Sequence, residues 1–481
     1  MKQHISNASW GGVAAAFRAG YGLLNVVLIV RLLGPETYGK VAAPLSIFVF
    51  YCSLSTSLFT MLVVRLMSLA GDDDSRKTLL SSGLAWVACS LAALGIVALG
   101  VWGSGLDTAS LLVLMCVLSS IQIVGAFQLA LIESAGRLDV ATRSQLLGPF
   151  FVLSILLAAF FGQILLSALS YVAVLCIGAA VDLVSAWLSR RRFLRFGLEG
   201  ICRLTVWQSL VTLLKSGGLL QASCLMNMFL EPFNKMLLSS FLGGTAVTVY
   251  DLGMKLIWGI QSLFSSGMRV FLHIVNQNRR QLESSYLRAI QLVFVPAVLL
   301  HVLGCLLLVA LANYWLPIDS RELITFFGVV TLSNLGMIVV APLYNGLIGK
   351  EDMRFIFKTQ ATLAVTNVAA SLLLIPLLGV LGAALGLLLA TLYNAAAILK
   401  KGRHLTGNVR LTESVFRCLG ARLPWACMLF TGAMYCGFNP DSTLLLGLFL
   451  LLVVLIVLAR EPASVYLFAA LKQKSFPDER I

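Results

Sequence analysis

Long apolar runs follow one another along this chain with little between them, and they constrain its fold more than any motif does. Fourteen can be placed, at roughly 9–33, 41–64, 80–102, 109–132, 146–163, 166–188, 211–241, 246–271, 287–312, 322–347, 357–376, 380–399, 422–438 and 443–459. A helix crosses bilayer hydrocarbon with about 20 mostly apolar residues, so each run is close to one crossing. Composition agrees, since 59% of the 481 residues are hydrophobic and only 12% are charged. A soluble domain carries about 25% charged residues, which excludes that class. No polar stretch between runs exceeds about 25 residues, too few to bury a core of its own. Barrel strands would alternate in polarity over segments of about 10 residues, unlike these unbroken runs. The expectation is an all-α polytopic membrane protein with about fourteen transmembrane helices.

Basic residues set the orientation. The net charge of +14 would suggest nucleic acid in a soluble protein, but here the bases collect on alternate connections. Arg65–Lys77, Arg137–Arg143, Arg190–Arg203, Arg279–Arg288, Lys350–Lys358 and Lys400–Arg422 are basic. Gly34–Lys40, Gly103–Thr108, Gly243–Thr245, Leu316–Arg321 and Phe438–Ser442 are poor in base. With both termini on the basic side, that side holds 27 Lys and Arg, and the other holds Arg31, Lys40 and Arg321. Positive charge keeps loops in the cytoplasm, so both termini are expected there and no nucleic-acid partner is expected. The first run carries Arg18 with no small-residue cleavage pattern after it, so no secretory signal is expected. Ten cysteines without a CxxC pair read as small apolar residues, and His4, His273, His301 and His404 lack a metal spacing. Neither a metal nor another cofactor is expected. Asp72-Asp73-Asp74 reads as a solvated turn before Arg76-Lys77.

The chain also resembles itself at a shift of about 210 residues. Leu33-Gly34 followed by Tyr38 recurs as Leu242-Gly243 followed by Tyr250. Leu131-Ile132 with Arg143-Ser144-Gln145 recurs as Leu347-Ile348 with Lys358-Thr359-Gln360. Six spans separate the copies, an even number, so both enter the membrane in the same direction. This predicts two parallel six-helix lobes, residues 1–210 and 211–400. An extra helix pair and a cytoplasmic tail fill 401–481.

The stretch Leu32-Leu33-Gly34-Pro35-Glu36-Thr37-Tyr38-Gly39 resembles the opening signature of Wzx-type polysaccharide and O-antigen flippases. These belong to the multidrug/oligosaccharidyl-lipid/polysaccharide (MOP) exporter superfamily. Ser240-Phe241-Leu242-Gly243 with Tyr250, Tyr344-Asn345-Gly346, and Leu377-Leu378-Gly379-Val380-Leu381-Gly382-Ala383-Ala384 are similar features. Where members often carry an acid shortly before the second Leu-Gly, this chain reads Glu231-Pro232-Phe233-Asn234-Lys235. The resemblance implies movement of undecaprenyl-diphosphate-linked oligosaccharide to the outer leaflet of a bacterial inner membrane, for surface polysaccharide synthesis. It implies membrane lipids as surroundings, with a polysaccharide polymerase and chain-length machinery as partners.

Ionisable residues inside the runs mark the candidate site, because each costs at least about 2.5–3.5 kcal/mol to insert. Arg18 lies in span 1, Glu231 and Lys235 share a face of span 7, and Asp251 and Lys255 share a face of span 8. Arg18, Lys235 and Lys255 are expected to face a cationic cavity between the lobes, with Arg18 lacking a local partner and taking the diphosphate. Asn25, Asn227 and Gln261 could donate to sugar hydroxyls. Glu231 and Asp251 could couple a proton or sodium gradient, or only neutralise the two lysines. Lys215, Arg269 and Asp182 read as snorkelling ends or internal ion pairs. A multidrug–cation antiporter would want a negative cavity, and a peptidoglycan-precursor flippase would share a cationic one. A membrane polymerase or glycosyltransferase would place catalytic groups in a long loop, and no connection here has paired carboxylates, so catalysis is not expected.

Overall fold

The computed structural model describes residues 2–57, 73–135, 137–193, 218–219, 221–268, 282–349, 352–406 and 411–420. Thirteen α-helices and no strand occur among them. They are α1 (Lys2–Leu33), α2 (Pro35–Ser57), α3 (Asp73–Gly103), α4 (Ala109–Ser134), α5 (Leu138–Phe161) and α6 (Ala168–Phe193). After them come α7 (Glu231–Leu242), α8 (Gly244–Met268), α9 (Leu282–Tyr314), α10 (Ser320–Gly349), α11 (Met353–Leu378), α12 (Val380–Thr406) and the short α13 (Leu411–Gly420). Ten of them are long and apolar enough to cross a membrane, namely α1 to α6 and α9 to α12. The chain is a multi-pass membrane protein.

The described residues do not reach the count of fourteen. The last two runs, the extra helix pair, lie outside the described residues. Run 7 is interrupted, so α7 has only 12 residues, and α8 carries Asp251 and Lys255 in its apolar stretch.

Single glycines make the tightest connections. Gly34, Gly243 and Gly379 have φ of 81°, 85° and 63°, and each is the one residue between two helices. A side chain is strained in that left-handed region, so glycine lets the chain reverse in one step. The predicted loops Gly34–Lys40 and Gly243–Thr245 are therefore corrected to one residue each, with Lys40 already helical.

Helix neighbours repeat with a period of six. In the first set α1 packs on α5, α2 on α4, α3 on α4, and α6 on both α4 and α5. In the second set α7 packs on α11, α8 on α10, α9 on α10, and α12 on both α10 and α11. Between the sets α1 meets α8 and α2 meets α7, the exchange a two-fold relation requires, while α2 also meets α8.

The two repeat turns lie side by side. A Cβ on Gly39 would fall 1.8 Å from the Gly244 carbonyl oxygen, so the two backbones touch. Thr248 Oγ1 donates to the Pro35 carbonyl at 2.5 Å, and Glu36 accepts from the Thr245 amide at 2.9 Å. Both copies thus turn at the same end of the molecule, as a parallel repeat must. At the other end of α2, Ser57 Oγ donates to Gln221 Oε1 at 2.9 Å. A continuous apolar core, including Val27, Ile29, Tyr250, Leu252 and Phe326, joins the sets below the turns.

Candidate functional site

The second set opens with a broken helix. Residues 221–226 are helical, Asn227–Phe229 form one 3₁₀ turn, and Leu230 leaves helical geometry at φ −98° and ψ −94°. Helix α7 then starts at Glu231, with Pro232 in its first turn where the missing N–H costs nothing. A break at membrane depth frees backbone groups that need partners. Asn367 Nδ2 supplies one, donating to the Phe229 carbonyl at 2.9 Å. Its amide also faces Asn234, 3.3 Å from Asn367 Nδ2 to Asn234 Oδ1. The break puts Glu231 at a helix N-terminus, where the helix dipole favours a carboxylate.

An ion cluster forms around that start. Lys235 Nζ lies 2.5 Å from Glu231 Oε1 and 2.5 Å from Asp251 Oδ1. Trp258 Nε1 donates to Glu231 Oε2 at 3.0 Å, and the Tyr38 hydroxyl donates to Asp251 Oδ2. Lys235 and Asp251 are only 3% and 1% exposed. Buried charge is tolerated when paired and hydrogen-bonded, and these three groups are.

A cavity of about 680 Å³ opens beside the cluster, lined from both sets. The first set contributes Asn25, Tyr38, Gln122, Tyr171 and Asp182, and the second contributes Asn227, Glu231, Lys235, Asp251, Lys255 and Trp258. Asn25 Nδ2 donates to the Tyr171 hydroxyl at 3.0 Å. Asp182 Oδ1 accepts from the Gly148 amide at 2.7 Å, across the close crossing of α5 and α6. Lys255 lies within electrostatic reach of Glu231 and Asp251 but has no carboxylate at ion-pair distance among the described residues, so it is the cation of the described lining most open to a ligand.

Three expectations are corrected by this geometry. The described lining is not cationic, because Asp182, Glu231 and Asp251 outnumber Lys235 and Lys255. One lysine here neutralises two acids, a pairing that no charge count along the chain can see. Arg18 does have partners: it donates to Gln145 Oε1 on α5 and lies within electrostatic reach of Glu133 and Asp182. It is exposed, on the same face of α1 as Tyr21 and Asn25, but does not itself line the cavity. Asp182 is a lining group rather than a snorkelling end.

The remaining candidates separate. Asn25 and Asn227 line the cavity, and Gln261 does not. Lys215 and Arg269 lie outside the described residues. As lining groups, sequence reading passed over Tyr38, Tyr171 and Trp258, whose polar tips complete the wall; Tyr171 and Trp258 were signalled by helical spacing from Asp182 and Asp251, and Tyr38 by no such spacing. Four of the six described cysteines are buried, as expected, while Cys89 is exposed and Cys224 intermediate. No group of metal-ligating side chains occurs among the described residues.

A repeated helical set enclosing a polar cavity is the architecture of a membrane transporter. The chain belongs to the polysaccharide biosynthesis protein family, whose model matches residues 5–272. The resemblance to Wzx-type flippases of the MOP superfamily is borne out. Solved structures share the fold at low identity. A lipid II flippase, MurJ, in an inward closed conformation, has TM-score 0.65 at 12% identity, with 94% of this chain and 98% of that one covered. An inward-facing MATE-family multidrug resistance transporter of the MOP superfamily has TM-score 0.64 at 13% identity, with 82% and 94% covered. A MATE structure in a bent conformation has TM-score 0.56 at 15% identity, with 86% and 96% covered. No curated protein matches the chain in sequence.

Proposed function

We propose that the protein is a flippase for undecaprenyl-diphosphate-linked oligosaccharide. It carries the glycan from the cytoplasmic to the outer leaflet of a bacterial inner membrane, with both termini cytoplasmic. Residues 1–210 and 211–400 act as two lobes that rock around the cavity by alternating access. Polysaccharide polymerase and chain-length proteins are the partners that receive the product.

The observation that carries this reading is Lys255. A diphosphate cannot enter hydrocarbon with its charge exposed, while its polyprenyl tail can stay in lipid. An ammonium with no carboxylate at ion-pair distance among the described residues, facing a cavity, offers charge-assisted hydrogen bonds to such a group. Arg18 is the second base, reached by exchanging Gln145 for the diphosphate. Asn25 and Asn227 face the sugars, and Gln261 assists from outside the cavity wall. Glu231 and Asp251 hold Lys235 in place, and their carboxylates take up the coupling proton or sodium ion on one side of the membrane and release it on the other.

The test is surface glycan in a strain lacking the wild-type copy, read alongside the amount of protein in the membrane. Losing one hydrogen bond to a charged group costs about 1.5–3 kcal/mol, so Lys255→Gln should lower export by about tenfold or more at normal expression. Full export by this variant would overturn the assignment. The acid excess in the lining favours a second reading, a cation antiporter. Raised resistance to cationic drugs, with surface glycan intact in the deletion strain, would select it. Rescue of peptidoglycan-precursor transport would instead select a lipid II substrate.

A further inference from the structure

A second cavity, of about 500 Å³, lies between α11 and α12, at the end of α12 that carries the basic connections. It shares no residue with the central cavity. Three lysines edge it: Lys358 from the second turn of α11, and Lys400 and Lys401 from the last turns of α12. Lys401 is engaged, 2.9 Å from Asp352 and over the Phe355 ring. Lys358 and Lys400 are exposed and face no carboxylate at ion-pair distance among the described residues.

One wall residue is unusual. Asn394 is 1% exposed, and neither its Oδ1 nor its Nδ2 has a hydrogen-bond partner among the described residues. A buried amide with nothing to bond is a destabilising feature unless something else fills the site. The cavity lies beside exposed apolar residues of the pair. Tyr393 stands exposed at its edge, and Val365, Leu372, Leu389 and Leu392 form an exposed apolar strip deeper along the same helices.

We propose that this cavity binds the headgroup of an anionic phospholipid of the cytoplasmic leaflet. The phosphodiester sits between Lys358 and Lys400, the Asn394 amide donates to a phosphate or ester oxygen, and the acyl chains follow the apolar strip. Basic recesses between helices on that side of a membrane suit such headgroups. The claim is independent of what the central cavity carries.

The experiment is native mass spectrometry of the full chain in detergent, titrated separately with phosphatidylglycerol, phosphatidylcholine, undecaprenyl phosphate and inorganic phosphate. Two lysines near a membrane surface favour an anionic over a neutral lipid by about tenfold or more, so the wild type should retain phosphatidylglycerol by that margin. Lys358→Gln with Lys400→Gln should remove most of the preference at unchanged melting temperature. Both side chains are exposed, and Lys400→Gln alone serves if the double variant is unstable. Equal retention of both phospholipids by the wild type, or an undiminished preference in the variants, would overturn the proposal. So would inorganic phosphate displacing phosphatidylglycerol at equal concentration, which would mark a free-phosphate site. Stronger retention of undecaprenyl phosphate that the variants lose would overturn it in favour of a port for the transported lipid.

Discussion

The two six-helix sets pack their helices in the same order, yet they furnish the cavity differently. The first set meets it with an unbroken α1 and mostly neutral groups, Asn25 bonded to Tyr171 and Tyr38 reaching across to Asp251. The second set meets it with a broken helix and the Glu231–Lys235–Asp251 cluster. Equivalent residues have also changed partner: Gln145 binds Arg18 on α1, whereas Gln360 donates to the Tyr344 hydroxyl on α10 at 3.1 Å. The scaffold tolerates one arrangement of helices with two arrangements of charge. The repeat therefore explains the fold, and its departures explain the site.

That contrast can be broken experimentally, and Lys235 is the place to strike first. Lys235→Met leaves the buried Asp251 and the half-buried Glu231 carboxylates without their shared cation, and breaking a buried pair costs about 3–5 kcal/mol. Thermal unfolding of purified protein should show the loss, and adding Glu231→Gln and Asp251→Asn should restore most of it. If the triple variant is as unstable as the single one, charge pairing is not what holds this wall. Next comes the break itself. Asn367→Leu strands the Phe229 carbonyl and a partner of Asn234, at about 1–3 kcal/mol. An unchanged unfolding curve would mean that the interrupted helix needs no support from α11. The smallest effect is expected in the first set. Asn25→Leu removes one neutral hydrogen bond, worth about 0.5–1.5 kcal/mol, and should shift unfolding less than either change in the second set. A larger loss there would erase the proposed asymmetry.

Much of the fold is written in the sequence. Long runs, a basic bias on alternate connections and the repeated Leu-Gly turns suffice for a parallel repeat of membrane helices, because each has a direct physical cause. The interruption at Leu230 is not legible, since Pro232 marks the region but sits harmlessly in the first turn of α7. The charges themselves are visible, but their pairing is not. Lys235 reads as a cavity cation until α8 brings Asp251 to it, and Arg18 reads as unpartnered until α5 brings Gln145. Asp182 reads as a helix end because nothing in the chain shows that α5 and α6 cross at Gly148 and Gly178. Helix faces decide all three, and faces follow from packing rather than from local spacing.

The bare backbone contact of Gly39 with Gly244 has a mechanical consequence. At the backbone contact itself no rotamers have to rearrange. A roll of one helix on the other would have to give only at the Thr248–Pro35 and Thr245–Glu36 hydrogen bonds beside it, and the contact could serve as a bearing. Helix α8 starts at that point and runs to Met268. At about 1.5 Å per residue, Asp251 sits about 10 Å along the lever arm and Met268 about 36 Å along it. A tilt of about 10° at the bearing would carry Asp251 by about 2 Å and Met268 by about 6 Å. In such a tilt the ion cluster, close to the fulcrum, would stay nearly assembled while the far ends of the helices moved most.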